Sequence, residues 1–189
     1  MLTQALDFLL NTFVGLFVFA LLMRFYLQWF RAGPRNPFSQ FLNALTGWIV
    51  LPARRFIPGL WGMDLASLVM AWFFEFLLIV VVAMLHGVPV SVLGPGQWLG
   101  FALLAGIRLL KLTVYLVMFA VIAQAILSWV NPHNPAASIL HGITNPFLRP
   151  FRRRMPAVGG VDLSPLFVVV ICQLILMIPI AWLERSLNI

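Results

Sequence analysis

Charged side chains are scarce in this 189-residue sequence: twelve basic and five acidic residues make up 9% of it, against about 25% in an ordinary soluble domain. With 62% hydrophobic residues and a mean hydropathy of +1.02, the chain has too little polar surface to cover itself in water. That excludes a soluble enzyme and a soluble DNA-binding domain, and the same apolar content excludes a disordered chain. Cysteine is nearly absent. The single Cys172, in an apolar run, excludes a disulfide framework and paired-cysteine metal or redox motifs. A basic region ahead of the first apolar run is missing, and the run is too long for a cleavable signal, so it reads as a first span. Barrel-type alternation is missing as well. What remains is an all-α integral membrane protein, because in lipid a spanning backbone must satisfy its own N–H and C=O groups.

Four stretches reach the roughly 20 apolar residues that a crossing needs: about 6–30, 65–86, 108–130 and 164–183. Arg108 and Lys111 interrupt the third, so residues 97–107 read as an interfacial approach. Basic residues collect between spans one and two (Arg31, Arg35, Arg54, Arg55) and between spans three and four (Arg149, Arg152, Arg153, Arg154). Arg108, Lys111 and Arg185 fall on the other side. By the positive-inside rule both long inter-span segments face the cytoplasm and both termini lie outside, which in a bacterium makes the termini periplasmic.

Those two segments repeat one another at a constant offset of 98 residues. Asn36-Pro37, Leu42, Thr46, Pro52, Arg54-Arg55, Pro58, Gly62, Asp64-Leu65 and Leu68 recur as Asn134-Pro135, Leu140, Thr144, Pro150, Arg152-Arg153, Pro156, Gly160, Asp162-Leu163 and Leu166. That is twelve ungapped identities over residues 36–68, where random pairing gives about two or three. Upstream the offset is 100, pairing Leu27 and Trp29 with Leu127 and Trp129. The chain is therefore two tandem helix–loop–helix repeats, 1–90 and 91–189, joined by a Pro/Gly-rich outer loop over residues 87–96. Each repeat crosses twice, so the copies share one topology and are related by an axis along the membrane normal.

Each loop carries an amphipathic helix, about 37–50 and about 135–145. Asn36 and Asn134 are the N-caps and a proline takes the first helical position of each. In the first, Phe38, Phe41, Leu42, Leu45, Trp48 and Ile49 form one stripe and Ser39, Gln40, Asn43 and Thr46 the other face. The second repeats the plan more weakly, with Ala136, Ile139, Leu140 and Ile143 inward, Ser138 and His141 outward, and Pro146 ending it. Such a stripe lies on the lipid interface or on the mouth of the bundle; the small number of charges on the polar face favours burial against the bundle. Pro-x-Arg-Arg-x-x-Pro follows each helix, at 52–58 and 150–156. Arg54, Arg55, Arg149, Arg152, Arg153 and Arg154, with Trp48, form a candidate surface for anionic headgroups or a membrane partner, each cation worth about 1 kcal/mol near such a surface. A nucleic-acid site is not indicated, since no stacking aromatics interleave the arginines. Asp64 and Asp162 open spans two and four, where a carboxylate caps a helix, with an ion pair back to the neighbouring arginines compatible.

Ionisable groups within spans are functional candidates. Arg24 and Glu75 lie about 10 and 16 Å deep, close enough for arginine to bridge, and the offsets map them to Gln124 and Gln173. The expectation is one interhelical contact per repeat, Arg24 with Glu75 and Gln124 with Gln173. A proton or cation site at Glu75 is the sharper alternative. His86, His133 and His141 lack close ligand spacing, and no nucleophile set is evident, so neither a metal, a cofactor nor an enzymatic site is expected.

Arg24-x-x-x-Gln28-Trp29, the segment Asn36 to Phe41, Pro52-x-Arg54-Arg55-x-x-Pro58 with Asp64, and in the second copy Ser128-Trp129, Pro150-x-Arg152-Arg153-x-x-Pro156, Gly159-Gly160-x-Asp162 and Ser164-Pro165 resemble the YggT family of bacterial inner-membrane proteins. The resemblance covers nearly the whole chain, duplication included. It implies a small polytopic inner-membrane protein without established enzymatic activity, in a family linked to osmotic tolerance and potassium homeostasis, to cell division or nucleoid organisation, and in chloroplasts to haem attachment on cytochrome b6. The second copy departs from the pattern at Gln124, so any role of Arg24 belongs to the first. Together these readings predict a structural or assembly protein whose basic cytoplasmic surface docks anionic lipid or a membrane-protein partner, compatible with a homo-oligomer. The alternative is an oligomeric cation or osmolyte transporter using Glu75.

Overall fold

A computed structural model describes residues 1–30, 37–59, 63–130, 135–154 and 162–187, and among these no strand occurs. The helices are α1 (Leu2–Trp29), α2 (Pro37–Ala53), α3 (Leu65–Leu85), α4 (Pro95–Val130), α5 (Pro135–Arg152), α6 (Ser164–Ile175) and α7 (Ala181–Leu187). A short 3-10 turn, Val90–Val92, precedes α4, and a π-helical turn, Leu176–Ile180, joins α6 to α7. Four helices are long and apolar enough to cross a membrane: α1, α3, α4 and the composite α6–α7. The protein is a multi-pass membrane protein built as span, elbow helix, span, twice over. The caps assigned to Asn36 and Asn134 lie outside the described residues.

Local chemistry explains the breaks. Helix α3 stops at Gly87, whose φ of 84° is open to glycine at little cost. The Val88 amide then bonds the Ala83 carbonyl and the Gly87 amide the Met84 carbonyl, pairing two groups that a helix end leaves bare. In the fourth span Pro179 has no N–H to give and its ring crowds the preceding turn; the local widening to a π turn accommodates it while the helix continues.

The core lies where the repeats meet. Val18, Leu21 and Leu22 of α1 pack with Leu42 and Val50 of α2, Ala66 and Ala71 of α3, Leu109 and Leu116 of α4 and Ile143 of α5. Helix α1 packs mainly on α3, while α4 touches α3, α5, α6 and α7 and so ties the repeats together. Alanines at the α1–α3 contact let backbones approach, the usual basis of helix association in lipid. Many large apolar side chains point outward, as they can where the surroundings are hydrocarbon: Phe8, Phe13, Leu16, Leu103, Phe119 and Trp182 among them.

Three expectations change. Helix α4 is continuous from Pro95 through Arg108 and Lys111, so the interfacial approach and the crossing are one helix of 36 residues, about 54 Å long. Helix α5 does not stop at Pro146 but reaches Arg152, and its faces segregate more sharply than those of α2. Pro146 and Pro150 lie four residues apart on one exposed face, so the carbonyls they leave unpaired need no buried partner. Third, α2 is rotated relative to expectation. Phe38, Phe41, Leu45 and Trp48 are exposed, while Ser39, Leu42, Thr46, Gly47 and Val50 are buried. In lipid an outward apolar stripe costs nothing, so the polar contacts available to Thr46 choose the inner face. On α5 Ile143 and Leu140 do turn inward and His141 outward.

Candidate functional site

Asp64 stands one residue before α3, where its carboxylate gathers three helices. Arg54, at the turn leaving α2, donates Nε to Oδ1 at 3.1 Å and Nη2 to Oδ2 at 2.6 Å. Arg24 of α1 reaches the same Oδ2 through Nε at 3.3 Å, and Ser67 of α3 donates its hydroxyl at 2.7 Å. Arg24 also donates through Nη1 to Thr46 Oγ1 of α2 at 2.8 Å, and that hydroxyl donates to the Leu42 carbonyl at 2.6 Å. Burial works to raise the Asp64 pKa, but the bonds from Arg54 and Ser67 and the charges of Arg54 and Arg24 outweigh it and hold the carboxyl below its ordinary value. The same bond raises Arg54 above its ordinary value, against the pull of burial.

The second repeat has the corresponding clamp in lighter form. Arg152 donates Nε to Asp162 Oδ2 at 2.7 Å, and the Ser164 amide donates to Oδ1 at 2.9 Å. Thr144 bonds the Gln124 side-chain oxygen and the Leu140 carbonyl. Gln124 therefore takes the place of Arg24 on the matching threonine, but makes no bond to Asp162. Burial again works to raise the Asp162 carboxyl; Ser164 and Arg152 prevail and lower it.

Several candidates thus find partners other than those expected. Arg24 binds Asp64 and Thr46, not Glu75, because the hydroxyl and carboxylate lie at its own end of the bundle. Gln124 binds Thr144, whereas Gln173 donates to the Met118 sulfur at 3.6 Å. The Asp64 carboxylate, spent on guanidinium and hydroxyl donors, makes no capping bond to a backbone amide; the Asp162 carboxylate does, to Ser164. Trp48 is not on the basic surface. Its ring, 67% exposed, lies 5.9 Å from that of Phe17, well inside the first span, so it faces lipid. Arg55, Arg149, Arg153 and Arg154 are exposed, and among the described residues none has an ion-pair partner.

Glu75 meets Arg108 of α4, Oε1 to Nη1 at 3.5 Å. One turn further along α4, Lys111 Nζ lies 2.9 and 2.8 Å from the two carboxylate oxygens of Glu184 on α7. Both pairs line a cavity of about 430 Å3 that Asn11, Gly15 and Tyr115 also border. In the sequence Arg108 and Lys111 stand as interruptions of the third span and as topology charges, and Glu184 carries no assigned role. The signal is two cations three residues apart on one helix, which share a face; within a span such a face calls for carboxylates from neighbouring helices. Among the described residues no three His, Cys, Asp or Glu side chains converge as metal ligands.

The two span–elbow–span units are also matched separately when the chain is compared with known proteins. A profile for CCB3/YggT matches residues 3–85 and 103–183, one segment per repeat. The chain is 39% identical over 181 residues to uncharacterized protein PA0392 of Pseudomonas aeruginosa, covering 95% of this chain and 90% of that one. It is 36% identical over 174 residues to uncharacterized protein YggT of Escherichia coli K12, covering 91% and 87%, and 33% identical over 167 residues to a Vibrio alginolyticus protein described by its place in the proC 3' region, covering 86% of each. No solved structure matches. Both repeats, with the arginine and aspartate that close each of them, thus fall inside the matched segments, and the chain belongs to the CCB3/YggT family.

Proposed function

We propose that the protein is a non-enzymatic membrane scaffold of the bacterial inner membrane, with its basic end in the cytoplasm and its termini in the periplasm. That end docks anionic lipid headgroups and, through them or directly, a membrane-protein partner. The observation that carries this reading is the division of labour among the arginines. Arg54 and Arg152 are held by Asp64 and Asp162, while Arg55, Arg149, Arg153 and Arg154 are exposed and uncompensated. All five side-chain carboxylates are engaged elsewhere, Asp7 with Asn11 and the other four in ion pairs, which leaves the guanidinium charge at this end open to an anion from outside the fold. The outward apolar stripe of Phe41, Leu45 and Trp48, with Trp48 beside Phe17 of the first span, supports seating α2 against acyl chains, with the arginines that follow its C-terminal end free for headgroups. The family resemblance adds, as the physiological form of this role, assembly in osmotic tolerance, cell division or membrane-complex biogenesis.

Native mass spectrometry of protein extracted from mixed phosphatidylglycerol and phosphatidylcholine bilayers tests the docking. The wild type should retain phosphatidylglycerol preferentially, and the variant with Arg55, Arg149, Arg153 and Arg154 all changed to Ala should not; equal retention by both overturns the reading. A cysteine placed at position 55 should react with an impermeant maleimide only after the inner membrane is opened.

An oligomeric cation or osmolyte transporter is the second reading, favoured by the charged cavity beside Glu75. Arg108 and Lys111 on its wall weigh against a bare cation there. Proteoliposome flux that disappears in Glu75→Gln would support it.

A further inference from the structure

We propose that the cavity between α1, α3, α4 and α7 is a binding site for a compact zwitterion, a molecule carrying an ammonium and a carboxylate or phosphate a few bonds apart. The inference concerns occupancy of this cavity and is independent of the basic end.

The volume of about 430 Å3 falls within the roughly 300–1,000 Å3 of small-molecule sites. Its wall carries both signs. Arg108 and Lys111 stand three residues apart on α4, flanked by Glu75 from α3 on one side and Glu184 from α7 on the other. Lys111 and Glu184 hold each other with two contacts at 2.9 and 2.8 Å. The other pair is unfinished. Arg108 and Glu75 meet at a single 3.5 Å contact, longer than the about 2.7–2.9 Å of a charge-assisted hydrogen bond, and neither has a second partner among the described residues. A guanidinium has five donors in a fixed fork, and a carboxylate accepts at both oxygens, so most of the capacity of this pair is unspent. Glu75 stands midway along α3, about 16 Å from Asp64 and from His86 at its two ends, where unspent charge is most costly.

The sign balance selects the ligand class. A bare cation would be drawn to Glu75 but repelled by Arg108 and Lys111; a bare anion would meet Glu75 and Glu184. A zwitterion can place its anionic end on Arg108 and its ammonium on Glu75, completing both without adding net charge to a site whose two pairs are already neutral. The same chemistry is offered by a free α-amino acid and by the headgroup of phosphatidylethanolamine. Gly15 supplies a clean way to block the site: it borders the cavity, and a Cβ added there meets no atom within 4 Å.

The experiment uses the full chain in nanodiscs of phosphatidylglycerol alone, with radiolabelled glycine and leucine as probes. Saturable binding is expected, not competed by equal concentrations of acetate or methylammonium, and weakened at least tenfold in Glu75→Gln, Arg108→Gln and Gly15→Leu. Thermal unfolding identifies any variant that fails to fold, and Gly15→Leu, which alters no charge, carries the test if the other two do. A second arm uses nanodiscs of equal phosphatidylethanolamine and phosphatidylglycerol; phosphatidylethanolamine retained by the wild type and lost from Gly15→Leu assigns the headgroup as the source. The proposal is overturned if neither arm shows binding, if acetate or methylammonium competes as well as the amino acids do, or if folded Gly15→Leu binds like the wild type.

Discussion

The two clamps are built from the same arginine, aspartate and threonine at the same offset, yet one is sealed and the other open. The Asp64 side chain is 1% exposed and that of Asp162 40%. The difference follows from two donors: Ser67, whose counterpart Pro165 has no hydroxyl, and above all Arg24. Arg24 reaches both Thr46 and Asp64 and draws α1, α2 and α3 together, whereas Gln124, shorter and uncharged, satisfies Thr144 and leaves Asp162 to Arg152 and a backbone amide. A buried charge network is costly to assemble and more costly to break, because removing one partner strands the others without water. An exposed pair is worth about 0–1 kcal/mol. The repeats therefore share a design but not its energetics.

That contrast can be broken from the top down. Asp64→Asn leaves Arg24 and Arg54 facing each other without their common anion; the loss should be about 3–5 kcal/mol in detergent-solubilised unfolding. Acid reaches the same carboxylate reversibly. Its folded-state pKa is lowered, so its contribution is complete above the ordinary value of about 3.9 and is lost as pH falls through the lower folded value. The melting temperature should hold steady from pH 7 to about 5 and then decline below about 4, and Asp64→Asn should remove the larger part of that decline. Arg24→Gln copies the second repeat into the first. Asp64 keeps Arg54 and Ser67, so the cost should be about 1–2 kcal/mol, smaller than for Asp64→Asn. Asp162→Asn should change stability least, by about 0–1 kcal/mol. If Asp162→Asn proves as damaging as Asp64→Asn, the sealed-versus-open distinction is wrong.

A second contrast separates the duplicated end from the cavity. At the repeat offsets Lys111 stands opposite Asn11, Glu184 opposite His86 and Glu75 opposite Gln173. The clamp chemistry occurs twice; the cavity charges occur once, at the seam between repeats. Whatever the cavity holds therefore does not serve both repeats alike.

Legibility followed the range of the interactions. The four spans, the repeat and the Arg54–Asp64 and Arg152–Asp162 relations could be read because they depend on apolar length and on residues ten apart in sequence. The rotation of α2 could not. Amphipathic patterning says that two faces differ but, in lipid, not which one turns inward; Arg24 and its bond to Thr46 decide that. Depth alone pairs Arg24 with Glu75, and depth cannot see that a closer carboxylate and hydroxyl stand beside it. Glu184 was invisible because its partner, Lys111, lies 73 residues away.

Composition and internal repetition by themselves determined a doubled membrane hairpin with guanidinium-rich elbows, since hydropathy and duplication are properties of the chain before it folds. Only the tertiary structure decided which arginines are spent within the fold and which remain free, and only it brought Glu75, Arg108, Lys111 and Glu184 to one cavity. Ion pairing in a low-dielectric interior goes to the partners that packing brings within a few ångströms, and in this protein packing is set by helices distant in sequence.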